Sequence, residues 1–567
     1  MKHFNKPEAW FTNQKHLYYL FLVVLLVPHL FLFYTEPMDW AARCAFLLAP
    51  LGAYMALLAA FRKPGIMVWL LFPLLFLGAF QLVLLYLFGE SIIATDMFLN
   101  LFTTNSTEAM ELLDKLIPSV IGVVVLYVPT LVLAVVSIRS KQTLGNAFRK
   151  KALIRAAWIF LAGVSFIQLA RHKNPDFSVR HHIYPVNVFY NIRLATDRWK
   201  ASVTYPETSA GFTFDARSER DPQQREVYVM VIGETARAIN FGLYGYERNT
   251  TPGLQRTPNL AYFTDALSQA NATHKSVPIL MSAASAENYE CMYRQKSIIT
   301  AFKEAGFRTA FFSNQLPNHS FIDYFAAEAD VHTFLKEDPE EALNPYDTEM
   351  VKMVGKFMEA YPDDKIFIVL HCYGSHFNYY ERYPEAEAFF TPDRIDKVDR
   401  KHRDVLVNAY DNSIRATDQV LTSLIARLSE QKGVAALLYT SDHGEDMLDD
   451  RRNRFLHSSP VPTYYQLHVP YLLWTSDAYN RAYPDILPAA QTNSNRPVMS
   501  NTFFHTMLGV GGVETDYRND TLSVVSPQFR VTPRNYLDDH NKPLPLDKVG
   551  FKDEDLEMFR THGLRYP

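Results

Sequence analysis

Five apolar segments between residues 16 and 170 are each long enough to cross a bilayer: His16 to Tyr34, Ala41 to Phe61, Ile66 to Phe88, Pro118 to Ile138 and Ala152 to Ala170. A hydrocarbon core about 30 Å thick takes roughly 20 apolar residues in helical form. Lys2, Lys6 and Lys15 precede the first segment as they would a secretory signal. Further spans follow, however, and no small-residue cleavage pattern ends it, so the segment is expected to be retained. Orientation follows the gathering of Lys and Arg on the cytoplasmic side. Arg62 and Lys63 lie between segments two and three, and Arg139, Lys141, Arg149, Lys150 and Lys151 between four and five. The link between three and four instead carries Glu90, Asp96, Glu108, Glu111 and Asp114. With the amino terminus inside and five crossings, the long carboxyl part lies outside the cytoplasmic membrane. A change of one crossing reverses this.

Three parts are expected: a five-span membrane domain (1–170), a bridging segment at the membrane interface (171–220), and one large soluble domain (221–567) with a substantial core. In the bridge, Tyr184, Phe189, Tyr190 and Trp199 suit headgroup depth, and they suit packing on the soluble domain equally well. The chain has 56 Lys and Arg against 60 Asp and Glu, and no basic stripe, so a nucleic-acid partner is not expected. Cys44 falls inside a span, leaving Cys291 and Cys372 for at most one external bridge, and Cys372 reads as a buried thiol.

In the soluble part, Val227 to Ile232, Thr309 to Ser313, Ile366 to His371, Ala435 to Ser441 and Tyr471 to Thr475 read as strands. Tyr346 to Ala360 and Val407 to Glu430 have helical spacing. The alternation points to a layered α/β domain with a mostly parallel central sheet.

Two of these strands end in metal-ligand chemistry. Leu437 to Ser441 runs straight into Asp442-His443-Gly444-Glu445, and Val227 to Ile232 into Gly233-Glu234-Thr235. Ligands of open α/β sheets bind beyond the carboxyl ends of the strands. Asp and Glu at such junctions also cap the helices that follow, which is the competing reading of Glu234 and Asp442. His376 follows the Ile366 to His371 strand, and His457 comes shortly after Asp442. Carboxylate with imidazole suits zinc, with a position left for substrate. Spacing alone does not single out a nucleophile among the many Ser and Thr residues.

Gly233-Glu234-Thr235-Ala236-Arg237, followed by Asn240-Phe241-Gly242-Leu243-Tyr244-Gly245-Tyr246-Glu247-Arg248-Asn249-Thr250-Thr251-Pro252, resembles the signature of membrane phosphoethanolamine transferases of the alkaline phosphatase and sulfatase superfamily. Later motifs of that family follow in order: Ala272-Thr273-His274-Lys275-Ser276-Val277-Pro278, Gly374-Ser375-His376, Asn408-Ala409-Tyr410-Asp411-Asn412-Ser413-Ile414, and Ser441-Asp442-His443-Gly444-Glu445. The resemblance extends to the five-span front end.

Carried over residue by residue, the resemblance implies that Thr273 is the nucleophile and shares one zinc ion with Glu234, Asp442 and His443. A second ion is possible. His376 and His457 then face the substrate phosphate or that second metal, with a catalytic role at the leaving oxygen, and Asn314 lines the pocket. Thr235 is expected to start a helix. Asn100, Thr104 and Glu108 share one helical face; such a row is as ordinary on a solvated surface, and the resemblance makes it a binding row for a lipid headgroup. The implied partners are phosphatidylethanolamine as donor and lipid A or another glycolipid as acceptor. The protein is then a multi-pass monomer of the bacterial inner membrane with its catalytic domain in the periplasm, and lowered surface charge reduces polymyxin sensitivity. A phosphoglycerol transferase, a sulfatase or phosphatase, and an inactive membrane sensor are the alternatives. The chain departs from the family where cysteines often flank the nucleophile: Gln269 and Ile279 stand near those places.

Overall fold

The computed structural model describes residues 11–36, 38–89, 92–103, 106–175, 177–317, 320–336, 345–395 and 397–566; within 100–115 only helical backbone is described. The chain divides into two compact units, Met1–Leu99 with Leu112–Asp197, and Asn100–Glu111 with Arg198–Pro567.

The first unit is helical, and three of its helices, α5, α6 and α8, continue into the residues of the second: α1 (Gln14–Thr35), α2 (Trp40–Ala60), α3 (Pro64–Leu70), α4 (Phe72–Phe88), α5 (Thr95–Thr103), α6 (Ser106–Arg139), α7 (Asn146–Lys173) and α8 (Val186–Val203). By length and composition, α1, α2, α7 and the Leu116–Arg139 stretch of α6 are each able to span a membrane. The third expected span is not one helix: α3 and α4 meet at a 66° bend. Pro73, in the first turn of α4, has no N–H to continue the ladder from α3, and its ring crowds the preceding turn. Among the described residues there are therefore four candidate spans, or five if the bent pair crosses as one. Helices α2 and α7 pack backbone to backbone, since a Cβ on Gly52 would lie 2.6 Å from the Phe160 nitrogen and one on Gly163 2.5 Å from that of Ala49. The bridging segment contains α8, where the sequence shows no sustained period. Tyr184 is buried beside His29, with ring centroids 5.1 Å apart, whereas Phe189 and Trp199 are exposed.

The second unit is built on a seven-stranded sheet. Its strands in chain order are β1 (Glu226–Gly233), β2 (Leu260–Tyr262), β3 (Arg308–Ser313), β4 (Val331–Phe334), β5 (Ile366–His371), β6 (Val434–Ser441) and β7 (Tyr471–Thr475). The spatial order is β2-β7-β6-β1-β5-β3-β4. Strands β6, β1, β5, β3 and β4 are parallel, and β7 runs antiparallel to both β6 and β2. The five expected strands are present to within a residue at each end. The expectation missed β2 and β4, which are three and four residues long and lie at the sheet's edges: the apolar run of β2 is too short to mark a strand, and His332 and Thr333 interrupt that of β4.

The alternation of β1 builds two cores. Val227, Val229 and Val231 pack under α10 (Thr348–Ala360) and α11 (Arg403–Glu430), through residues such as Val354, Leu421 and Leu424. Tyr228, Met230 and Ile232 face α9 (Thr273–Met281) and α12 (Thr502–Gly511), through Leu280, Phe503 and Met507. Every side chain of β1, β5, β6 and β7 is buried, as strands covered on both faces require. The three central strands, β6, β1 and β5, end together at one sheet edge.

Candidate metal centre

At that edge the residue after β1 is Glu234 and the residue after β6 is Asp442, both buried. Neither caps an α-helix. Asp442 Oδ1 accepts the N–H of Thr235 at 3.2 Å and of His443 at 2.7 Å. Thr235 does not start a helix either; it takes φ 53°, a left-handed turn that carries the chain away from β1. Thr273 is the first residue of α9, which places its hydroxyl at the positive end of that helix. Its Oγ1 lies 3.4 and 3.2 Å from the two Glu234 carboxylate oxygens and 3.2 Å from His443 Nε2. His443 Nδ1 is 2.9 Å from the Gly444 carbonyl, so the ring donates there and presents Nε2 as an acceptor.

This arrangement fits a small divalent cation. One hydroxyl proton faces three acceptors, and Asp442 Oδ2 stands 3.2 Å from the same His443 nitrogen. Among the described residues no Lys or Arg is ion-paired with Glu234 or Asp442. Burial, with the Asp442 charge beside it, pushes the Glu234 carboxyl well above its usual range, and burial raises Asp442 to about 6. Burial also drives His443 well below its ordinary value, so it is neutral, as a ligand must be. Ligand atoms of Glu234, His443 and His457 come within 4.8 Å of one another. A mixed nitrogen and oxygen set of this size suits zinc.

His376 and His457 stand beside this cluster. The His457 ring centroid is 4.2 Å from that of His443 and 5.9 Å from that of His376. His457 Nδ1 lies 3.4 Å from the Glu445 carboxylate, and His376 Nδ1 lies 2.7 Å from the Phe377 carbonyl. Each ring is thereby oriented through Nδ1. Burial, then the neighbouring His457 and Arg382, lowers His376 to about 3, leaving it neutral. Asn314 turns elsewhere: its amide donates to the Pro345 carbonyl at 2.9 Å and to Asp347 Oδ1 at 2.8 Å. Thr104 and the side chains of Asn100 and Glu108 lie outside the described residues.

Sequence reasoning passed over three residues that hold the site. Gln315 reaches Glu234, Glu445 reaches His457, and Arg382 donates from Nε to the His376 carbonyl at 2.9 Å. Gln315 lies two residues beyond the end of β3, so the strand-end rule that found Glu234 and Asp442 also points to its neighbourhood. The sequence motifs lock onto each other. Ala236 N–H donates to Ser441 Oγ at 2.8 Å, Arg237 N–H to the Tyr410 hydroxyl at 2.9 Å, and Asn240 and Arg248 both bind Asp411. Gly374 packs against Glu234 at φ 53°; a Cβ there would come within 2.7 Å of the Glu234 carbonyl oxygen.

Residues 226–513 match the Sulfatase family model, and residues 46–198 match that of phosphoethanolamine transferase EptA/EptB. The chain is 31% identical over 274 residues to the Kdo(2)-lipid A phosphoethanolamine 7''-transferase of Escherichia coli (strain K12), a stretch covering 47% of each chain. It spans about half the length of the curated relatives it matches. Among solved structures, the C-terminal periplasmic domain of EptC from Escherichia coli in complex with zinc aligns with TM-score 0.54 and 26% identity, covering 60% of this chain and 97% of that one. The integral membrane lipooligosaccharide phosphoethanolamine transferase A of Neisseria meningitidis aligns with TM-score 0.68 over 89% of this chain and 98% of that one. At 22% identity it establishes a common fold.

Proposed function

This chain belongs to the sulfatase family and, within it, to the phosphoethanolamine transferases, and on that footing we propose that it moves phosphoethanolamine from phosphatidylethanolamine to a glycolipid through a threonine-bound intermediate. The observation that carries the proposal is the Thr273 hydroxyl, at a helix N-terminus and within 3.4 Å of both Glu234 oxygens and His443 Nε2. Glu234, Asp442, His443 and Thr273 are the residues that would hold zinc. The ion, when bound, stabilises the charge of the threonine oxygen and of the phosphoryl group under attack.

In the first step Thr273 Oγ1 forms a bond to phosphorus and the bond from phosphorus to the glycerol oxygen breaks. The proton given up by Thr273 ends on the departing diacylglycerol. In the second step an acceptor hydroxyl or phosphate takes the phosphoryl group, the bond to Oγ1 breaks, and Thr273 regains a proton from the acceptor. The α9 N-terminus favours the phosphate charge in both steps. His376, neutral and oriented through Nδ1, and His457 are proposed to pass the proton at the leaving and entering oxygens, a reading supported by their Nδ1 contacts. Asn100, Thr104 and Glu108 are proposed to receive the lipid headgroup.

The acceptor is lipid A of lipopolysaccharide, a reading supported by the similarity to a Kdo(2)-lipid A transferase. The chain sits in the inner membrane as a monomer, with residues 221–567 in the periplasm. An added ammonium group lowers surface negative charge and weakens cationic peptide binding, so polymyxin sensitivity falls. The test is to incubate the purified full chain with phosphatidylethanolamine and lipid A and read lipid A by mass spectrometry. A gain of one phosphoethanolamine, lost on chelation and restored by zinc, is expected. Transfer of glycerol phosphate, or release of free phosphoethanolamine with lipid A unchanged, contradicts the assignment.

A further inference from the structure

Gln315 ties together the ends of three strands. It lies two residues beyond β3, and its backbone N–H donates to Ser313 Oγ at 3.1 Å, which fixes the turn. Its side-chain nitrogen Nε2 donates to Glu234 Oε2 at 3.0 Å, after β1, and to the Cys372 carbonyl at 2.9 Å, after β5. Those two bonds use both hydrogens of the amide. Oε2 of Glu234 is thus held by the amide; the Thr273 hydroxyl reaches both oxygens, at 3.2 Å from Oε2 and 3.4 Å from Oε1, and Oε1 is the one that lies 3.6 Å from His443 Nε2.

The preceding residue acts on Glu234 from the other side. The Asn314 amide binds Asp347, whose two carboxylate oxygens accept the N–H groups of Tyr373 and Gly374 at 2.9 Å each. Gly374 packs against the Glu234 backbone, and the adjacent Ser375 N–H donates to the Glu234 carbonyl at 2.9 Å. The Asn314-Gln315 pair therefore reaches the Glu234 backbone through Asp347 and its carboxylate directly.

We propose that Gln315 is a positioning residue for the metal centre: by holding Oε2 of Glu234 it leaves Oε1 as the oxygen offered to the cation. The inference rests on reading Glu234 as a zinc ligand. Outer hydrogen bonds of this kind orient a ligand before the ion arrives, and removing one typically weakens metal binding about 10- to 100-fold. A tie that served only to join strand ends would instead lower the stability of the fold with or without metal.

The experiment uses the full chain in detergent and measures zinc affinity by competition with a chromogenic chelator, beside the unfolding temperature of the metal-free protein. Gln315→Met keeps the side chain's length and removes both donors; Gln315→Asn keeps a donor that falls short of Glu234 and serves if the first variant folds poorly. Each is made in the parent and in a Glu234→Ala background. The expected result is roughly 10- to 100-fold weaker zinc binding in the parent background, no further loss in the Glu234→Ala background, and little change in metal-free unfolding temperature. Parent-like zinc affinity, or an equal loss in both backgrounds, overturns the role of Gln315. If the parent binds no zinc, or Glu234→Ala binds it as tightly as the parent, it is the zinc reading of Glu234 that fails.

Discussion

At the scale of single residues, the soluble unit holds several imidazoles that must stay neutral. His468 Nδ1 lies 2.6 Å from the Tyr464 hydroxyl and its Nε2 3.3 Å from the Thr264 carbonyl, while His505 Nδ1 accepts the Asn519 N–H at 3.2 Å. Burial lowers His468 to about 3 and His505 to about 4, from an ordinary value of 6.5. Above pH 6.5 neither the folded nor the unfolded chain is protonated at these sites. Below it the unfolded chain takes up protons that the fold refuses, so stability is lost as pH falls toward the folded values. Each group costs about 1.4 kcal/mol per pH unit within that window. His505→Gln does not titrate, so the stability difference between parent and variant should shift by about 2 kcal/mol toward the variant between about pH 7.5 and 5. Urea unfolding at the two pH values measures this; a pH-independent difference contradicts it. Legibility at this scale followed chemistry. Glu234, Asp442 and His443 stand at strand ends where the sequence changes abruptly, whereas Thr273 took its meaning from the resemblance, because nothing in a lone threonine marks it as a nucleophile. Gln315 and Glu445 went unread because they act through another side chain, and such partnerships are visible only in three dimensions.

At the scale of elements, the strands were legible where both faces are buried, since β1, β5 and β6 leave long apolar runs. Short edge strands such as β2 and β4 leave only brief or interrupted ones. The third membrane segment reads as continuous because hydropathy is blind to direction, and Pro73 supplies the break. The loop after β5 is an element of a different kind, with no regular structure beyond short 3-10 turns such as Tyr379–Glu381, and held by a stack. The Arg382 guanidinium sits 3.8 Å from the centre of the Tyr373 ring, which stacks on His376 at 5.4 Å and 24°. Arg382 Nε also donates to the carbonyls of His376 and Asn378, at 2.9 and 3.2 Å. A lysine has neither the planar stacking face nor the fork of donors. Arg382→Lys should therefore misplace His376 and lower kcat roughly ten- to a hundredfold. Zinc affinity should stay near that of the parent, because Glu234, Asp442 and His443 are untouched. Steady-state kinetics with a chelator titration checks both; a matching loss of zinc affinity would place Arg382 in the support of the metal ligands instead.

At the scale of the whole molecule, the soluble unit holds its fold without disulfides. Its two cysteines, Cys291 and Cys372, are free thiols. Near the places where relatives of this kind often carry cysteines, Gln269 Oε1 accepts the Ala286 N–H at 3.0 Å and Ile279 is fully buried in the core. A hydrogen bond and packing serve there. A chain that joins apolar helices to this α/β unit suits the proposed reaction, whose donor is a membrane lipid and in which Thr273 carries the transferred group between donor and acceptor. Intact-mass analysis of the full chain incubated with phosphatidylethanolamine, beside Thr273→Ala and a zinc-stripped sample, tests it most directly. A gain of one phosphoethanolamine on the zinc-loaded parent alone is expected. An adduct on Thr273→Ala, or none on a zinc-loaded parent with accessible donor, would contradict it.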